Sequence, residues 1–418
     1  MFEQWHGDKT TEFIRTHKMN SKIYLHKGKE ESLLRFHPWV FSGAVKRIEG
    51  EINEGDLTEV FSAKGDFLGI GHYQIGSIAV RILSFQPREI NRDFWKEKIA
   101  KAWHCRQTLL FGTGNPESNT FRLIHGEGDG LPGLVVDIYG DTAVFQAHSV
   151  GMHRQRGLIA ELLVELIPGL RCVYYKSETT LPFKADIPET EREDGYLIGR
   201  CETSEPIACE NGLKFRIDWL RGQKTGFFID QRENRSMLEH YAKGKDVLNM
   251  FCYTGGFSCY ALRGGAHLVH SVDSSAKAIE LVKRNVALNF DEETQNRHQA
   301  YAVDAFKFLE DIKDKYDLII LDPPAFAKHR SALRNALQGY RKLNARAFEQ
   351  IRPGGLLFTF SCSQAVSKEQ FRLAVFSAAA MSKRHVRILH QLTQPADHPI
   401  NIYHPEGEYL KGLVLQVE

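Results

Sequence analysis

Between Gly222 and Glu418, short apolar runs alternate with helix-forming stretches, and no other feature of the chain limits its fold as tightly. The runs are Asp246–Met250, His267–Val272, Gln299–Val303, Tyr316–Leu321 and Gly355–Phe360. Helical stretches separate them at Ser258–Leu262, Ala276–Leu288, Ala305–Glu310 and Gln338–Gln350. Strand–helix–strand units join parallel neighbours, so the expected fold class is α/β, a mostly parallel doubly wound sheet. Such sheets bind ligands at the C-terminal ends of their strands.

The residues that follow the runs carry chemistry. After Met250 the chain reads Phe251-Cys252-Tyr253-Thr254-Gly255-Gly256-Phe257-Ser258. A glycine-bearing turn between strand and helix lets backbone amides approach a ligand. Asp273, with Ser274 behind it, ends the second run. Asp304 and Ala305 follow the third, and Asp322-Pro323-Pro324 follows the fourth. A carboxylate at Asp273 suits a ribose diol, and one at Asp304 suits an adenine amino group. The loop lacks G-x-G-x-x-G and the chain lacks a P-loop. S-adenosyl-L-methionine therefore fits better than a nicotinamide dinucleotide, although a tight α/β turn explains the loop by itself. Three acids at three successive strand ends are more specific than any one of them. Candidate cofactor contacts are Asn249, Phe251, Tyr253, Thr254, Gly255, Gly256, Phe257, Asp273, Ser274, Asp304, Ala305, Asp322 and Pro323.

The fifth run leads into Ser361-Cys362-Ser363. A lone cysteine is most often a small buried hydrophobe, but Cys362 follows a strand end on the same edge as Asp322. Carbon 5 of cytosine is a poor nucleophile until a thiolate adds at carbon 6, and a carboxyl group near N3 stabilises that adduct. The chemistry needs one cysteine and one acid, which Cys362 and Asp322 can supply, and a target base out of its stack.

The N-terminal part reads differently. Short β-type runs at Ile23–Leu25, Trp39–Phe41, Leu57–Phe61 and Ile78–Leu83, punctuated by glycines, suggest a small β-barrel. Lys22, Lys27, Lys29, Arg35, Lys46 and Arg47 outnumber the acids there, and a solvated charged face is the competing explanation. A helix is expected over Arg92–Leu110 and another over Arg154–Leu166. The runs Phe121–Ile124 and Leu134–Asp137 flank Gly126-Glu127-Gly128-Asp129-Gly130 as a hairpin. Five acids in Asp186–Asp194 suggest a solvated loop tip.

Composition narrows the class further. The chain has 418 residues, 54 Lys and Arg against 52 Asp and Glu, and a net charge of +2, so any basic surface must be local. No apolar run is long enough to suggest a membrane span, and none near the N-terminus reads as a secretory signal. The 7 cysteines show no C-x-x-C spacing and the 18 histidines no metal-ligand cluster, so free thiols in the cytoplasm and no metal are expected.

Eight motifs, in order, resemble the RlmI-like 23S rRNA cytosine-C5 methyltransferases, which carry an N-terminal PUA domain. They are His37-Pro38-Trp39-Val40-Phe41-Ser42-Gly43, Gly126–Gly133, Thr225–Arg232, Tyr253–Ser258, Leu321-Asp322-Pro323-Pro324, Phe360-Ser361-Cys362-Ser363, Ala396-Asp397-His398-Pro399 and Pro405–Gly412. The match runs from about Lys22 to the C-terminus. The resemblance implies a PUA-like barrel that binds RNA, with Lys22, Lys27, Lys29, Arg35, His37 and Trp39 as contacts and 23S rRNA as partner. It implies cofactor contacts at Gln231 and Arg232, Cys362 as the single nucleophile, and Asp397, His398 and Lys411 as candidate pocket residues. Expected divisions are an extension over 1–19, poorly ordered, with Met1 or Met19 as the start; the barrel over 20–90; a mixed α+β region over 91–220; and the methyltransferase region over 221–418, ending in an antiparallel hairpin. A homodimer is compatible with the sequence but not deducible from it. Two alternatives stay open: an rRNA methyltransferase acting on a purine ring nitrogen or an amino group without a thiol, and a non-catalytic RNA-binding ribosome assembly factor.

Overall fold

The computed structural model describes residues 21–111, 117–182, 185, 187–203, 206–327 and 329–418. The expectation for residues 1–19 falls outside them. The chain divides into two compact units. One takes the described residues up to 111 with Arg122–Glu202 and Pro399–Pro405. The other takes the described residues of Asn115–Phe121 with Thr203–His398 and Glu406–Glu418.

In the first unit, β1 (Lys22–Leu25), β2 (Trp39–Phe41), β3 (Val45–Glu49), β4 (Leu57–Phe61), β5 (Phe67–Tyr73) and β6 (Ile78–Ser84) form a sheet of order β2-β6-β5-β4-β1-β3. Alternate side chains turn inward, so Ile23, Leu25, Val60, Val80 and Ile82 share one apolar cluster while Lys22 stays exposed. Two strands escaped the sequence reading. β3 is exposed along most of its length, and β5 is interrupted by glycines. Gly71 is needed there, because a Cβ would sit 2.1 Å from the Arg81 carbonyl oxygen on β6. A single helical turn, α1 (Glu31–Leu34), ends in a Schellman turn, with Phe36 N donating to Leu33 O and His37 N to Ser32 O, both at 2.9 Å. Its left-handed position holds Phe36 at φ +63 instead of a glycine, which costs roughly 1 kcal/mol.

The same unit continues with α2 (Arg92–Arg106), which passes into a π turn over Gln107–Phe111. Strands β7 (Thr120–His125), β8 (Leu134–Tyr139), β9 (Thr142–Ala147), β10 (Cys172–Tyr175) and β11 (Gly195–Ile198) form a second sheet in the order β11-β10-β9-β8-β7. The helix expected over Arg154–Leu166 is instead two, α3 (Val150–Arg154) and α4 (Arg156–Leu166). Gln155 breaks it at φ −87, ψ 0, and the Arg156 guanidinium satisfies the His153 carbonyl at 2.9 Å. The acidic segment is not simply a solvated tip. Its first residue, Asp186, lies outside the described residues, but α5 (Glu189–Arg192) forms within it. Asp194 accepts from the amides of Ser177 (2.6 Å) and Glu178 (2.9 Å).

The second unit opens with the hairpin β12 (Ile207–Glu210) and β13 (Leu213–Arg216), turned at Asn211 and Gly212, both at positive φ. The seven-stranded sheet follows: β14 (Asp246–Met250), β15 (Leu268–Asp273), β16 (His298–Ala302), β17 (Leu318–Leu321), β18 (Gly355–Ser361), β19 (Val386–Leu392) and β20 (Lys411–Val417). Its order is β16-β15-β14-β17-β18-β20-β19, parallel from β16 to β18, with β20 antiparallel to both neighbours. β17 is wholly buried because helices cover both faces of a parallel sheet. The strand order reverses at β14, between β15 and β17, where such sheets open their ligand crevice.

The helices are α6 (Arg232–Tyr241), α7 (Gly256–Arg263), α8 (Ala276–Asn289), α9 (Glu292–Gln295), α10 (Ala305–Phe308), α11 (Leu333–Gln350) and α12 (Lys368–Ser382). α6 went unread because its buried face is polar: Arg232, Asn234 and Arg235 point inward beside a single leucine, Leu238. Among the described residues no helix is long and apolar enough to cross a membrane.

Candidate active site

The crevice lies in the second unit. β14 runs straight into a turn in which Phe251 (φ +57), Tyr253 (φ +46) and Gly255 (φ +81) are all left-handed. Two non-glycine residues in that region store backbone strain, which persists only where surrounding contacts over-determine it. Here those contacts are visible. Tyr253 N donates to Asp273 Oδ2 at 3.1 Å, Gly255 N to Cys252 O at 2.8 Å, and the Tyr253 hydroxyl to Gly226 O at 3.3 Å. Gly255 also cannot carry a side chain, since a Cβ would stand 2.9 Å from Val282 of α8. Asp273 accepts a second amide, from Ser275, at 2.9 Å on its other oxygen. Each oxygen keeps a lone pair for a further donor.

Asp304 stands exposed at the N-cap of α10, where it accepts from Lys307 N at 3.0 Å. Ser274 is exposed, and Ala305 and Pro323 are buried. Asn249 is placed differently from the expectation. Its side chain is 1% exposed and donates to Ser258 Oγ at 2.9 Å, the start of a buried chain through Ser271 to His298. Burial takes the His298 imidazole down to about 4, so it stays neutral in that chain.

Asp322 leaves the tip of β17. Gln231 Nε2 donates to its Oδ2 at 3.0 Å, and Asn234 Nδ2 holds Gln231 Oε1 at 2.6 Å. Burial, and then the nearby Asp230 carboxylate, push the Asp322 carboxyl up to about 7. Cys362 leaves the tip of β18, the parallel neighbour of β17. It is half-buried, and burial pushes its thiol up to about 11; the Asp322 and Asp230 carboxylates add to this, and the Lys224 ammonium opposes it. The thiol therefore holds its proton at neutral pH, with Lys224 as the neighbouring group that favours the thiolate. Cys252 and Cys259 are also pushed up by burial, and both pack in the core.

Several residues implied by the resemblance hold the crevice together from behind. Arg232 is buried and committed to Asp397. Its Nη1 donates to Oδ2 at 3.0 Å, and Nη2 lies 2.9 Å from Oδ1, close enough to pair but misaligned for a hydrogen bond. It is thus a brace beside Gln231 and not an open cofactor contact. Asp397 also meets His398 Nδ1 at 3.0 Å, and both residues are fully buried. Lys411 Nζ donates to Ser363 O (2.6 Å) and Val366 O (2.8 Å), so it straps the loop that carries Cys362. Burial brings its ammonium down to about 8.

Sequence reasoning missed a second group. Tyr409 donates to Asp230 Oδ2 at 2.8 Å, and Lys224 Nζ lies 3.6 Å from the same oxygen. Arg235 reaches both oxygens of Glu210, at 2.9 and 2.7 Å, and Phe228 O at 3.0 Å, fixing the turn before α6. Lys224, Asp230 and Tyr409 all lie inside the quoted motifs or one residue outside them, but nothing in their spacing says that they meet.

In the first unit, Lys22, Lys27, Lys29 and Arg35 are exposed, and His37 and Trp39 are half-buried. Arg35 lies 3.5 Å from Glu31, and Trp39 Nε1 donates to Glu127 at 2.8 Å, so these two already have protein partners.

The crevice suits S-adenosylmethionine: a strained, amide-rich turn at the switch point, Asp273 with free lone pairs, and Asp304 at the next strand end. Comparisons agree. An S-adenosylmethionine-dependent methyltransferase family model matches residues 195–404, and a PUA-like domain model matches residues 23–85. A ribosomal RNA large subunit methyltransferase I from Aeromonas hydrophila is 40% identical over 404 residues, 95% of this chain and 100% of the relative. One from Vibrio vulnificus is 37% identical over 403 residues, 96% and 100% respectively. A solved structure described as a methyltransferase complexed with S-adenosylhomocysteine shares the fold at a TM-score of 0.81 and 23% identity, covering 95% of this chain and 100% of its own. The chain belongs to the ribosomal RNA large subunit methyltransferase I family, in which a PUA-like domain precedes an S-adenosylmethionine-dependent methyltransferase fold.

Proposed function

We propose that this protein methylates carbon 5 of a cytosine in 23S rRNA through a covalent adduct with Cys362. The observation that carries the reading is the pairing of Cys362 and Asp322 at the tips of neighbouring parallel strands, within electrostatic reach of one another. The printed names of the relatives support ribosomal RNA of the large subunit as substrate; the cytoplasm as its place of action is part of the same proposal. S-adenosylmethionine, when bound, supplies a sulfonium methyl group. The loop over Phe251–Phe257, with Asp273 and Asp304, would hold it, and Lys22, Lys27, Lys29, Arg35, His37 and Trp39 would contact RNA.

The chain's own residues divide the work on the base. The Cys362 sulfur, once deprotonated, bonds to carbon 6. Asp322, protonated, hydrogen-bonds N3 and takes up the charge that develops there. Carbon 5 thereby gains enamine character and accepts the methyl group. Transfer of the carbon 5 proton to water restores the 5,6 double bond and expels the sulfur as the thiolate. Gln231 holds Asp322 in place, and Lys411 fixes the Cys362 loop.

The two acidities fix a pH profile. The productive form pairs a protonated Asp322 (about 7) with a Cys362 thiolate (about 11). Its population climbs tenfold per pH unit below about 7, is level between about 7 and about 11, where each gain in thiolate is matched by a loss of carboxylic acid, and falls beyond. kcat/KM should follow this shape. Asp322→Asn should lower the rate at neutral pH by about 10²- to 10⁴-fold and remove the level region, so that the rate keeps climbing with pH. A variant that keeps the level region would exclude Asp322 as the acid.

One observation favours a thiol-free reaction on a purine or an amino group: the Cys362 thiol holds its proton at neutral pH. Nucleoside mass spectrometry on 23S rRNA from a deletion strain separates the two readings. The expected result is loss of one 5-methylcytidine; loss of a methylated purine with 5-methylcytidine intact would reject the cytosine reading.

A further inference from the structure

The first unit contains a cavity of about 400 Å³ that the methylation chemistry does not use, lined among others by Phe36, Phe85, Arg88, Lys98, Lys101 and Tyr403. Two aromatic rings stand open at its mouth, Phe36 at 46% exposure and Tyr403 at 50%. Their centroids are 5.4 Å apart, and Phe85 meets Phe36 edge-on, also at 5.4 Å. Phe36 occupies the left-handed position of the turn after α1, which a glycine would serve without strain. The turn therefore does not need phenylalanine; what the residue contributes is its ring.

The cavity's charges point to an anion. Glu97 is shared between Arg88 (2.9 Å) and Lys101 (2.6 Å), and Glu127 accepts from the Trp39 indole. Lys98 is half-buried, with no carboxylate within ion-pair distance among the described residues, and its Nζ lies 5.6 Å from the Phe94 centroid. Burial, and then Lys101, hold its ammonium below the usual lysine range, and Glu97, engaged by Arg88 and Lys101, opposes this only in part. Three cations against two carboxylates leave room for one negative charge. Open aromatic faces beside a spare cation are the combination that binds an unstacked nucleotide.

We propose that this cavity holds one nucleotide of single-stranded RNA, its base stacked on Tyr403, whose ring leans against Phe36 at a tilt of 53°, and its phosphate at Lys98. This rests on the reading of the chain as an RNA-modifying enzyme. It joins Phe36, within the basic stretch near the N-terminus, to Lys98 of α2 and Tyr403, which lie outside it, and it selects single-stranded over paired RNA, since a paired base offers no free face.

The test is equilibrium binding of a short fluorescein-labelled single-stranded oligoribonucleotide to the full chain by anisotropy, over a range of salt. Phe36→Gly, which suits the turn, and Tyr403→Ala should each weaken binding by about 5- to 100-fold, the range for loss of one base–aromatic stack. Tyr403→Phe should restore it. Lys98→Ala should lower the slope of log affinity against log salt by about 0.7. S-adenosylhomocysteine affinity, measured by calorimetry, should stay at the wild-type value in all four. Wild-type RNA affinity and salt slope across the variants would overturn this site and leave the proposed reaction standing. Absence of RNA binding by the wild-type chain would overturn both.

Discussion

Replacing Cys362 with alanine should stop 5-methylcytosine formation, with a loss of at least about 10⁴-fold in turnover. The size follows from the chemistry. Carbon 5 cannot attack a sulfonium methyl until sulfur has added at carbon 6, and no other thiol can take over. Cys252 and Cys259 are buried in the core, each with its thiol pushed up by burial. Cys105, Cys172, Cys201 and Cys209 lie on other elements. The fold should survive, because the side chain is half-buried and its loop is held independently by Lys411 and by Ser363 Oγ, which donates to Ala327 O at 2.6 Å. S-adenosylhomocysteine binding by calorimetry and turnover by methyl incorporation into rRNA check both halves. Full turnover in the alanine variant would sink the adduct and turn attention to a thiol-free reaction.

The largest effect on stability is expected from Arg232→Met. The variant leaves the Asp397 carboxylate buried without its guanidinium partner, and breaking a buried pair on one side costs about 3–5 kcal/mol. For a unit of this size that lowers Tm by roughly 10 °C. Removing both charges with Arg232→Met and Asp397→Leu should recover at least half of the loss, because the stranded carboxylate is gone. The pH dependence has a definite sign. Burial alone would raise the Asp397 carboxyl, but His398 and Arg232 outweigh it and hold it well below the usual carboxylate range. A depressed folded-state value contributes stability above an unfolded value of about 4 and loses it as pH falls further. Denaturant melts between neutral pH and about pH 3 should show this acid weakness in the wild-type chain and less of it in Arg232→Met. Activity should fall as well, since Arg232 is the neighbour of Gln231, which positions Asp322.

Much of the catalytic half was legible in advance. Buried parallel strands are written as continuous apolar runs, and the residue after each run must lie on the ligand-facing edge, which is why Asp273, Asp304, Asp322 and Cys362 could be singled out. The Asn211-Gly212 hairpin signal was present too, but it flanks strands of only four residues each and went unread. α6 was illegible for a different reason. Periodicity reports apolar faces, and the inward face of α6 is built from arginine and asparagine, whose partners come from β12, from the turn before it and from Asp397.

Local pattern thus settled which residues stand at the strand ends, because periods of two and of 3.6 are properties of neighbouring residues. What each of those residues does there depended on groups brought together from far along the chain. Asp322 becomes an acid near neutrality because burial and Asp230 surround it, while Cys362 keeps its proton because burial, and then the Asp322 and Asp230 carboxylates, push its thiol up. Arg232 serves Asp397 instead of a ligand because the chain folds back over a separation of 165 residues. Charge and acidity are set by burial and by the nearest opposite charge, and neither exists until the tertiary structure forms.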